Sequence, residues 1–326
     1  MNMQRRHWLQ ASLLSTLGST KLGAWAQSYP AKPIKLIVPL AAGSAVDNAA
    51  RIVTLKMASS LGTSIAVENI AGASGQIGTD RVAKAAPDGY TLGGFNDSIM
   101  TMLPNLNNKL PWDIVRDFEP VSLVATVEWG LVVAADSPIK TVAEFIQQAK
   151  QTPGKINYGS GGNGSPQHIA MALFASQANL QLTHVPYKGA TQAAVGVAGK
   201  EVDAAFQGIA TVSSLIKAGK LKLLAVCTPK RLPQFADIPT VSESGLAGFE
   251  FNSWFAMMAP VGTPKAITHR LQQDVVKALA DPLVKEQLSG LGLSPRGSTP
   301  EELASALSSQ LTRYERLFKQ AGITAD

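Results

Sequence analysis

The chain has 326 residues, 16% of them charged, and a formal net charge of +6 at neutral pH. Its basic residues are dispersed, and no basic stripe alternates with aromatic side chains, so we expect no nucleic-acid partner. A single cysteine, Cys227, cannot form an internal disulfide, and one cysteine with four histidines argues against a zinc cluster. We predict no metal, and we expect Cys227 to be a small buried residue because it lies in the apolar run LKLLAVC.

The first 26 residues have the pattern of an export signal. Arg5 and Arg6 precede a weakly apolar stretch, Leu9–Leu22, and the tripeptide AWA at 24–26 fits a cleavage site. The string RRHWLQ is typical of a twin-arginine signal, and an ordinary Sec signal is the alternative. Cleavage after Ala26 would remove three basic residues and no acid, which lowers the charge from +6 to +3 and predicts a periplasmic mature chain. No later apolar run reaches the roughly 20 residues that a membrane-spanning helix needs.

Short β-rich runs then alternate with amphipathic runs of helical length. The predicted strands are Ile34–Leu40, Ser64–Glu68, Thr91–Phe95, Val121–Val124, Gly130–Ala134, Ile156–Tyr158, Leu182–Val185, Ala204–Phe206 and Leu221–Val226. The predicted helices include Ala45–Leu61, Val142–Lys150, Pro166–Ala178, Ala190–Gly199 and Val212–Ala218. This alternation predicts α/β domains with mostly parallel sheets.

The C-terminal third predicts two helices that pack on an existing core. Thr263 and Pro264 set a cap residue and a first-turn proline before a helix over 267–280. Thr299 and Glu302 then form a capping box at the start of the final helix, and Gly322 follows its last turn.

Two segments about 120 residues apart share one pattern. Residues 34–53 and 155–174 each read as a strand, a loop of small residues, and a helix that begins at Ser44 or Ser165. The unpaired N–H groups and partial positive charge of a helix N-terminus favour anions. Neither Leu40–Asp47 nor Gly159–His168 contains Lys or Arg. Two such loops facing each other would suit a small carboxylate, above all a dicarboxylate.

The second loop also matches a dinucleotide-binding turn, because Gly159, Gly161 and Gly164 have the spacing G-x-G-x-x-G. Such a turn needs an acidic residue at the end of the next strand to bind the ribose. The next strand lies in LTHVPYKG (182–189), which has no acidic residue. We therefore predict no nicotinamide, flavin or other cofactor. The absence of a G-x-S-x-G sequence argues against a serine hydrolase.

Several polar residues have both a structural and a ligand-binding interpretation. Asp47 either caps its helix with Ser44 and pairs with Arg51, or accepts a hydrogen bond from a ligand. His168 either bonds backbone or solvent in the first helical turn, or donates to an anion. Asn163 is either a turn residue or a ligand donor.

Further candidates lie where strands end, which is where open α/β sheets form pockets. Ser98 follows the strand TLGGF, and Gln207 follows the strand AAF. Trp254 either lines the cleft or packs in the core, and packing is the favoured interpretation. His184 lies within a strand and is interpreted as structural.

Nine segments cover nearly all of residues 29–322: YPAKPIKLIVPLAAGSAVDNAAR, VENIAGASGQIGTDRVAKAAPDGYTL, DFEPVSLVA, INYGSGGNGSPQHIAMALF, HVPYKGATQAAVGVAGKEVD, AGKLKLLAV, DIPTVSESGL, WFAMMAPVGTPK and GSTPEEL. In this order they resemble the Bug-type extracytoplasmic solute receptors, the binding subunits of tripartite tricarboxylate transporters. In the first loop Ser44 and Val46 replace the family's usual Gly and Thr, and Pro166 stands where Ser is common. These departures narrow the pocket and remove an N–H group, so the resemblance does not imply the ligand's identity.

The resemblance implies an α/β fold of the type II periplasmic binding (Venus flytrap) class, with two domains and a ligand cleft between them. Domain 1 would combine residues 27–125 with 252–326, domain 2 would comprise residues 126–251, and the chain would cross near Ala125–Val133 and Phe251–Pro260. We expect ligand contacts from the two loops and two strand ends: Leu40, Ala41, Ala42, Gly43, Ser44, Asp47, Ser98, Ser160, Gly161, Asn163, Gly164, Ser165, His168 and Gln207.

The expected function is capture of a small carboxylate, or a related amide, for delivery to the membrane permease subunits of a tripartite tricarboxylate transporter. We expect a monomer that is not an enzyme. One alternative is an exported hydrolase-like enzyme that uses Ser160, Ser165 or His168, although the sequence shows no base paired with such a nucleophile. The other is a ligand-sensing receptor with the same fold.

Overall fold

The computed structural model describes residues 29–107 and 109–321, with side chains described as far as residue 319. The export signal predicted at residues 1–26 and the predicted cap residue Gly322 lie outside the described residues. Within the described ranges, no helix is long and apolar enough to cross a membrane.

Ten strands and ten α-helices follow one another along the described chain, mostly in alternation. The strands are β1 (Ile34–Val38), β2 (Ile65–Asn69), β3 (Thr91–Asn96), β4 (Phe118–Ala134), β5 (Asn157–Ser160), β6 (Thr183–Pro186), β7 (Ala204–Gly208), β8 (Leu221–Val226), β9 (Asn252–Pro260) and β10 (Leu293–Pro295). The helices are α1 (Ala45–Leu61), α2 (Gln76–Ala83), α3 (Leu103–Leu106), α4 (Val142–Gln151), α5 (Pro166–Ala178), α6 (Ala190–Ala198), α7 (Ile209–Lys217), α8 (Lys265–Ala280), α9 (Pro282–Ser289) and α10 (Pro300–Ala321).

The strands form a mixed sheet in the order β2-β1-β3-β9-β4-β7-β5-β6, and β8 and β10 also pair with β4. Pairs made by β1 and β5 are parallel, whereas every pair that includes β4 or β9 is antiparallel. The prediction of mostly parallel sheets was therefore wrong at the centre. The reason is that β4 and β9 join the two parallel parts and run against their neighbours.

A single 17-residue strand, β4, replaces the two strands predicted at 121–124 and 130–134. Its first part pairs with β9, and its second part pairs with β7 from Trp129 and also with β8 from Gly130. The sequence breaks the apolar run at Thr126 and Glu128. In the fold these side chains are satisfied, because Arg296 donates to Thr126 at 2.7 Å and Ser294 donates to Glu128 at 2.9 Å.

The C-terminal region holds three helices rather than the two predicted. The additional helix is α9, which begins after Asp281, whose carboxylate accepts from the N–H groups of Leu283 and Val284. The predicted capping box at α10 is confirmed: the Thr299 N–H donates to Glu302 at 2.9 Å, and the Glu302 N–H donates to the Thr299 hydroxyl at 3.1 Å.

One buried hydrophobic cluster includes side chains from both parts of the sheet, such as Leu36 of β1 and Phe206 of β7. Within it, Phe174, Phe206 and Phe249 contact one another through edge-to-face or stacked rings. Cys227 is 1% exposed, as expected for a small buried residue, and burial raises the pKa of its thiol. The predicted domain boundaries at 125/126 and 251/252 fall inside β4 and directly before β9, and the division into domains stays a prediction.

Candidate functional site

A cavity of ≈ 60 Å³ lies at the carboxyl ends of the parallel strands, beside the point where β4 passes from one part of the sheet to the other. Residues from both predicted loops line it, together with Val127 and Trp129 of β4. Trp129 is fixed there by an edge-to-face contact with Phe251, with ring centroids 5.2 Å apart. The cavity is therefore bounded on one side by β4, where this strand passes between the two parts of the sheet, and on the other sides mainly by loops.

Five helices begin at this cavity. Their N-cap residues are Ser44, Gly75, Ser165, Gly189 and Gly208, for α1, α2, α5, α6 and α7, and all five line the cavity. The three glycine caps carry no side-chain hydrogen bond to their helices. Because helix N-termini present N–H donors and partial positive charge, their convergence favours an anion.

The first loop is built by a local capping arrangement. Ser44 caps α1 by accepting from the Asp47 N–H at 3.3 Å, and the Asp47 carboxylate accepts from the Gly43 N–H at 2.8 Å. Arg51 and Asn69 donate to the same carboxylate. Gly43 has a φ of 76°, in the left-handed region that favours glycine. Asp47 thus holds the loop and is not part of the cavity lining.

The second loop repeats this arrangement with different chemistry. Ser165 caps α5 by accepting from the His168 N–H at 3.4 Å, and His168 Nδ1 accepts from the Gly164 N–H at 3.1 Å. Gly164 has a φ of 72°. An imidazole therefore takes the position that the Asp47 carboxylate holds in the first loop. The pattern shared by residues 34–53 and 155–174 therefore corresponds to the same capping hydrogen bonds in both loops.

A serine–histidine pair links the second loop to β6, and no sequence pattern indicated it. Ser160 Oγ lies 2.6 Å from Nε2 of His184, whose ring stacks between Tyr158 and His168. Ser160 is 0% exposed, and its hydroxyl oxygen accepts from the Gly162 N–H at 3.1 Å. The pair therefore joins the end of β5 to β6 at the start of the second loop, and its hydroxyl is buried.

A third loop, at 71–75, completes the lining. Gly72, Ala73, Ser74 and Gly75 all have positive φ, from 45° to 131°. The Ser74 hydroxyl donates to the carbonyl of Asn163 in the second loop at 2.6 Å. The sequence signal for this loop was the string AGASG, because glycine readily adopts the positive φ found here.

Six of the predicted ligand residues line the cavity: Leu40, Ala41, Ser44, Ser98, Gly161 and Ser165. Eight are not part of the lining: Ala42, Gly43, Asp47, Ser160, Asn163, Gly164, His168 and Gln207. Gln207 supports the lining, since its amide donates to the Ala190 carbonyl at 3.1 Å and accepts from Gln167 at 3.4 Å. Trp254 is packed in the core, as favoured from the sequence, and is also absent from the lining. Direct ligand contact by any of the predicted residues stays a prediction.

Polar lining residues that the sequence did not single out are Ser74, Asn96, Gln167, Lys188, Thr211 and Ser253. Among the described residues that line the cavity, none is acidic and Lys188 alone carries a formal charge. The substituted positions noted above, Val46 and Pro166, both face the cavity. No group of His, Cys, Asp and Glu within the described ranges could hold a metal ion.

The cavity also has an acidic residue directly behind its wall. Asp97 lies between two lining residues, Asn96 and Ser98, and is fully buried. Its carboxylate accepts from the hydroxyl of Ser253, a lining residue of β9, and from that of Tyr314 at 3.4 Å. Burial raises the pKa of Asp97 to about 7, against an ordinary value of 3.8.

The sheet has two parallel parts that β4 and β9 join, and the cavity lies where β4 passes between them. This arrangement defines a periplasmic binding protein fold. The chain matches the family model described as "Tripartite tricarboxylate transporter family receptor" over residues 49–323. It is 36% identical over 326 residues to the UPF0065 protein in the tcbD-tcbE intergenic region of Pseudomonas sp. (strain P51), covering 100% of this chain and 97% of that relative.

Solved structures give the same result. The periplasmic binding protein BugD is 34% identical with a TM-score of 0.87, covering 91% of this chain and 99% of BugD. R. palustris Rpa4515 with adipate is 31% identical with a TM-score of 0.88, covering 91% and 99%. MatC from Rhodopseudomonas palustris with bound malate is 30% identical with a TM-score of 0.83, covering 88% and 99%. The chain belongs to the Bug-type receptor family of tripartite tricarboxylate transporters. This family consists of periplasmic solute-binding proteins rather than enzymes.

Proposed function

We propose that this receptor captures a small carboxylate, with a dicarboxylate as the preferred class, in the cavity between its two sheet parts. The observation that carries the proposal is the convergence of five helix N-termini on a cavity whose described lining has no acidic side chain. Backbone N–H donors at helix N-termini bind carboxylates with charge-assisted hydrogen bonds. The adipate and malate bound by two relatives are both dicarboxylates, which supports the same class here.

A dicarboxylate fits because the donors come from opposite sides. The caps of α1 and α2 belong to the part of the chain before β4, and the caps of α5, α6 and α7 belong to the part after it. One carboxylate would bind at each group of N-termini. Lys188 would add the single formal positive charge, and Ser253, Asn96 and Gln167 would supply uncharged hydrogen-bonding groups between the two ends.

The ligand would enter an open form and be enclosed when the two parts close. Three hydrogen bonds between segments on opposite sides of β4 would belong to the closed form: Ser74 donates to the Asn163 carbonyl, Thr191 donates to the Ala42 carbonyl at 3.0 Å, and the Ala45 N–H donates to Thr211 at 2.9 Å. Closure would turn one domain against the other about β4 and the start of β9, at the predicted boundaries near residues 125 and 251.

The closed receptor would deliver its ligand as a monomer to the membrane permease subunits of a tripartite tricarboxylate transporter. Export by the N-terminal signal, with cleavage after Ala26, belongs to the same proposal. The cavity wall differs from the usual family pattern at Ser44, Val46 and Pro166. These three residues would select among carboxylates of different length and substitution.

A thermal-shift screen tests the proposal. The chain without residues 1–26 is melted at pH 6 with mono-, di- and tricarboxylates, aromatic acids, the corresponding amides, and NAD. A ligand at 100 times its Kd adds about 2.7 kcal/mol of stability, which raises the melting temperature by roughly 5 °C. We expect at least one carboxylate to do so and NAD to have no effect. A melt that responds to NAD and to no carboxylate would overturn the proposal.

A further inference from the structure

Asp97 and Ser253 form a buried pair at the wall of the cavity, and Asp97 has no role in the function proposed above. The Ser253 hydroxyl donates to the Asp97 carboxylate, and Ser253 also lines the cavity. The flanking residues Asn96 and Ser98 line the cavity as well. A charge on Asp97 is therefore separated from a bound ligand by one hydroxyl group.

The direction of this hydrogen bond determines what Ser253 can offer a ligand. A hydroxyl group has one hydrogen to donate. While Asp97 is ionised, it is acceptor-only and takes that hydrogen, so Ser253 presents an oxygen lone pair to the cavity. When Asp97 is protonated, it donates to Ser253, and the Ser253 hydrogen becomes available to a carboxylate. Ionised Asp97 also repels an anion in the cavity, because the low dielectric screens the two charges weakly.

The other groups around Asp97 do not neutralise it. Its own turn at 98–102, helix α3 and strands β3 and β9 contain no ionisable side chain. From α10, Tyr314 faces it, and burial and then the Asp97 charge raise the pKa of that phenol, so Tyr314 stays a neutral donor. Arg313, next to Tyr314, is the cation of this helix that acts on the phenol. Lys188 is the one charged residue among the described cavity lining.

We propose that Asp97 is a positioning residue that couples carboxylate capture to the uptake of one proton, by reversing the hydrogen bond between Asp97 and Ser253. The proton comes from solvent and is held on the Asp97 carboxyl while the ligand is bound. This proposal rests on the proposed carboxylate function. Because burial raises the pKa of Asp97 to about 7, the effect is expected between pH 6 and pH 8.

Isothermal titration with malate and with adipate at pH 6, 7 and 8, in buffers of different ionisation enthalpy, tests the coupling. For a group that titrates near pH 7 in the free protein and stays protonated in the complex, Kd rises about tenfold from pH 6 to pH 8. Proton uptake should approach one per ligand at pH 8. Asp97→Asn, which cannot ionise, should bind with a Kd that changes little with pH and with no proton uptake.

Glu128→Gln is the matched control. Glu128 is a second buried carboxyl whose pKa is raised by burial, but it bonds to Ser294 and is not part of the cavity lining. This variant should keep the pH dependence of wild-type binding. A carbon-13 NMR titration of the Asp97 carboxyl in the free protein adds a reading that needs neither ligand nor variant, with an expected midpoint near pH 7.

The outcomes separate the two proposals. If neither dicarboxylate nor any other carboxylate of the thermal-shift panel binds between pH 6 and pH 8, the proposed function fails and the coupling fails with it. If a carboxylate binds with a pH-independent Kd and no proton uptake, or if the Asp97 midpoint lies near pH 4, the Asp97 proposal alone is overturned.

Discussion

Ser74 and Asn163 face each other across the cleft, and the Ser74 hydroxyl donates a hydrogen bond of 2.6 Å to the Asn163 carbonyl. The two residues are 89 positions apart in the chain and belong to different loops of the site. Their bond can form only when the two sides of the cavity are brought together. It is therefore a contact between the two loops, and under the proposed closure it would form only in the closed form.

We expect Ser74→Ala to weaken carboxylate binding by roughly 2- to 10-fold, the effect of losing one net hydrogen bond. The melting temperature of the free protein should change little, because the bond lies at the exposed rim. Affinity from isothermal titration and melting without ligand are the measurements. Ser213→Ala is a matched control, since its hydroxyl bonds the Ala210 carbonyl within α7. Equal losses of affinity in both variants would contradict a role for Ser74 in closure.

Substitutions at two glycines, one at each end of α1, distinguish the effect of backbone strain on stability from an effect on ligand binding. Gly43 precedes the helix with a φ of 76°, and Gly62 ends it with a φ of 70°. Leucine at either position should cost about 1–2 kcal/mol of stability, because left-handed backbone is strained for a residue with a Cβ. Gly43→Leu also directs its side chain at Thr191, whose Oγ1 lies 3.8 Å from an added Cβ, whereas nothing lies within 4 Å at Gly62.

Binding should therefore fall by at least about tenfold in Gly43→Leu, the equivalent of some 1.4 kcal/mol, and stay unchanged in Gly62→Leu. Denaturant unfolding and isothermal titration provide the two readings. The first loop would have no role in binding if Gly43→Leu retained wild-type affinity while showing the expected loss of stability.

Lys188 supplies the single formal charge of the described cavity lining. Lys188→Met should weaken a dicarboxylate by up to about fivefold, as expected for a partly solvated ion pair, and should lower the salt dependence of Kd. Lys200→Met, which removes an exposed lysine paired with Asp136, serves as control. Titrations at low and high salt make the comparison. An unchanged salt dependence in Lys188→Met would show that backbone donors alone bind the anion.

The free energy of unfolding of the ligand-free protein should also depend on the ionisation of Asp97. Its pKa is raised from 3.8 to about 7 by burial, so folding favours the neutral form. The stabilisation from this group is complete below about pH 4 and is lost as the pH rises through 7. Asp97→Asn should therefore raise the free energy of unfolding at pH 8 by roughly 2–4 kcal/mol and have a smaller effect at pH 5. An effect of the same size at both pH values would contradict a raised pKa.

The sequence could predict the two capped loops because their geometry is local. Ser44 and Ser165 each bond a residue three positions later, so the motif lies within one short stretch. The helix bounds at 45–61 and 166–178 follow from the same caps. Asp47 and His168 each had two interpretations because both uses involve the same side-chain atoms. The structure shows the bonds to the Gly43 and Gly164 N–H groups, and ligand contact by either side chain stays a prediction.

The rest of the site depends on contacts between distant segments. The Ala45 N–H bonds Thr211, 166 positions away, and Asp97 bonds Ser253, 156 positions away. No pattern within a short stretch indicates either pair. The strand through Thr126 and Glu128 was divided for the same reason, because the partners of these polar residues come from the segment at 294–296.

Binding of a carboxylate by the two loops is tested most directly by a crystal structure of the mature chain with the carboxylate that raises its melting temperature most. We expect carboxylate oxygens about 2.7–3.2 Å from backbone N–H groups at the helix N-termini that follow Leu40–Ser44 and Gly161–Ser165. This expectation would be contradicted by a ligand bound outside this cavity, such as in the groove between α5 and α10 lined by Gln177 and Arg313.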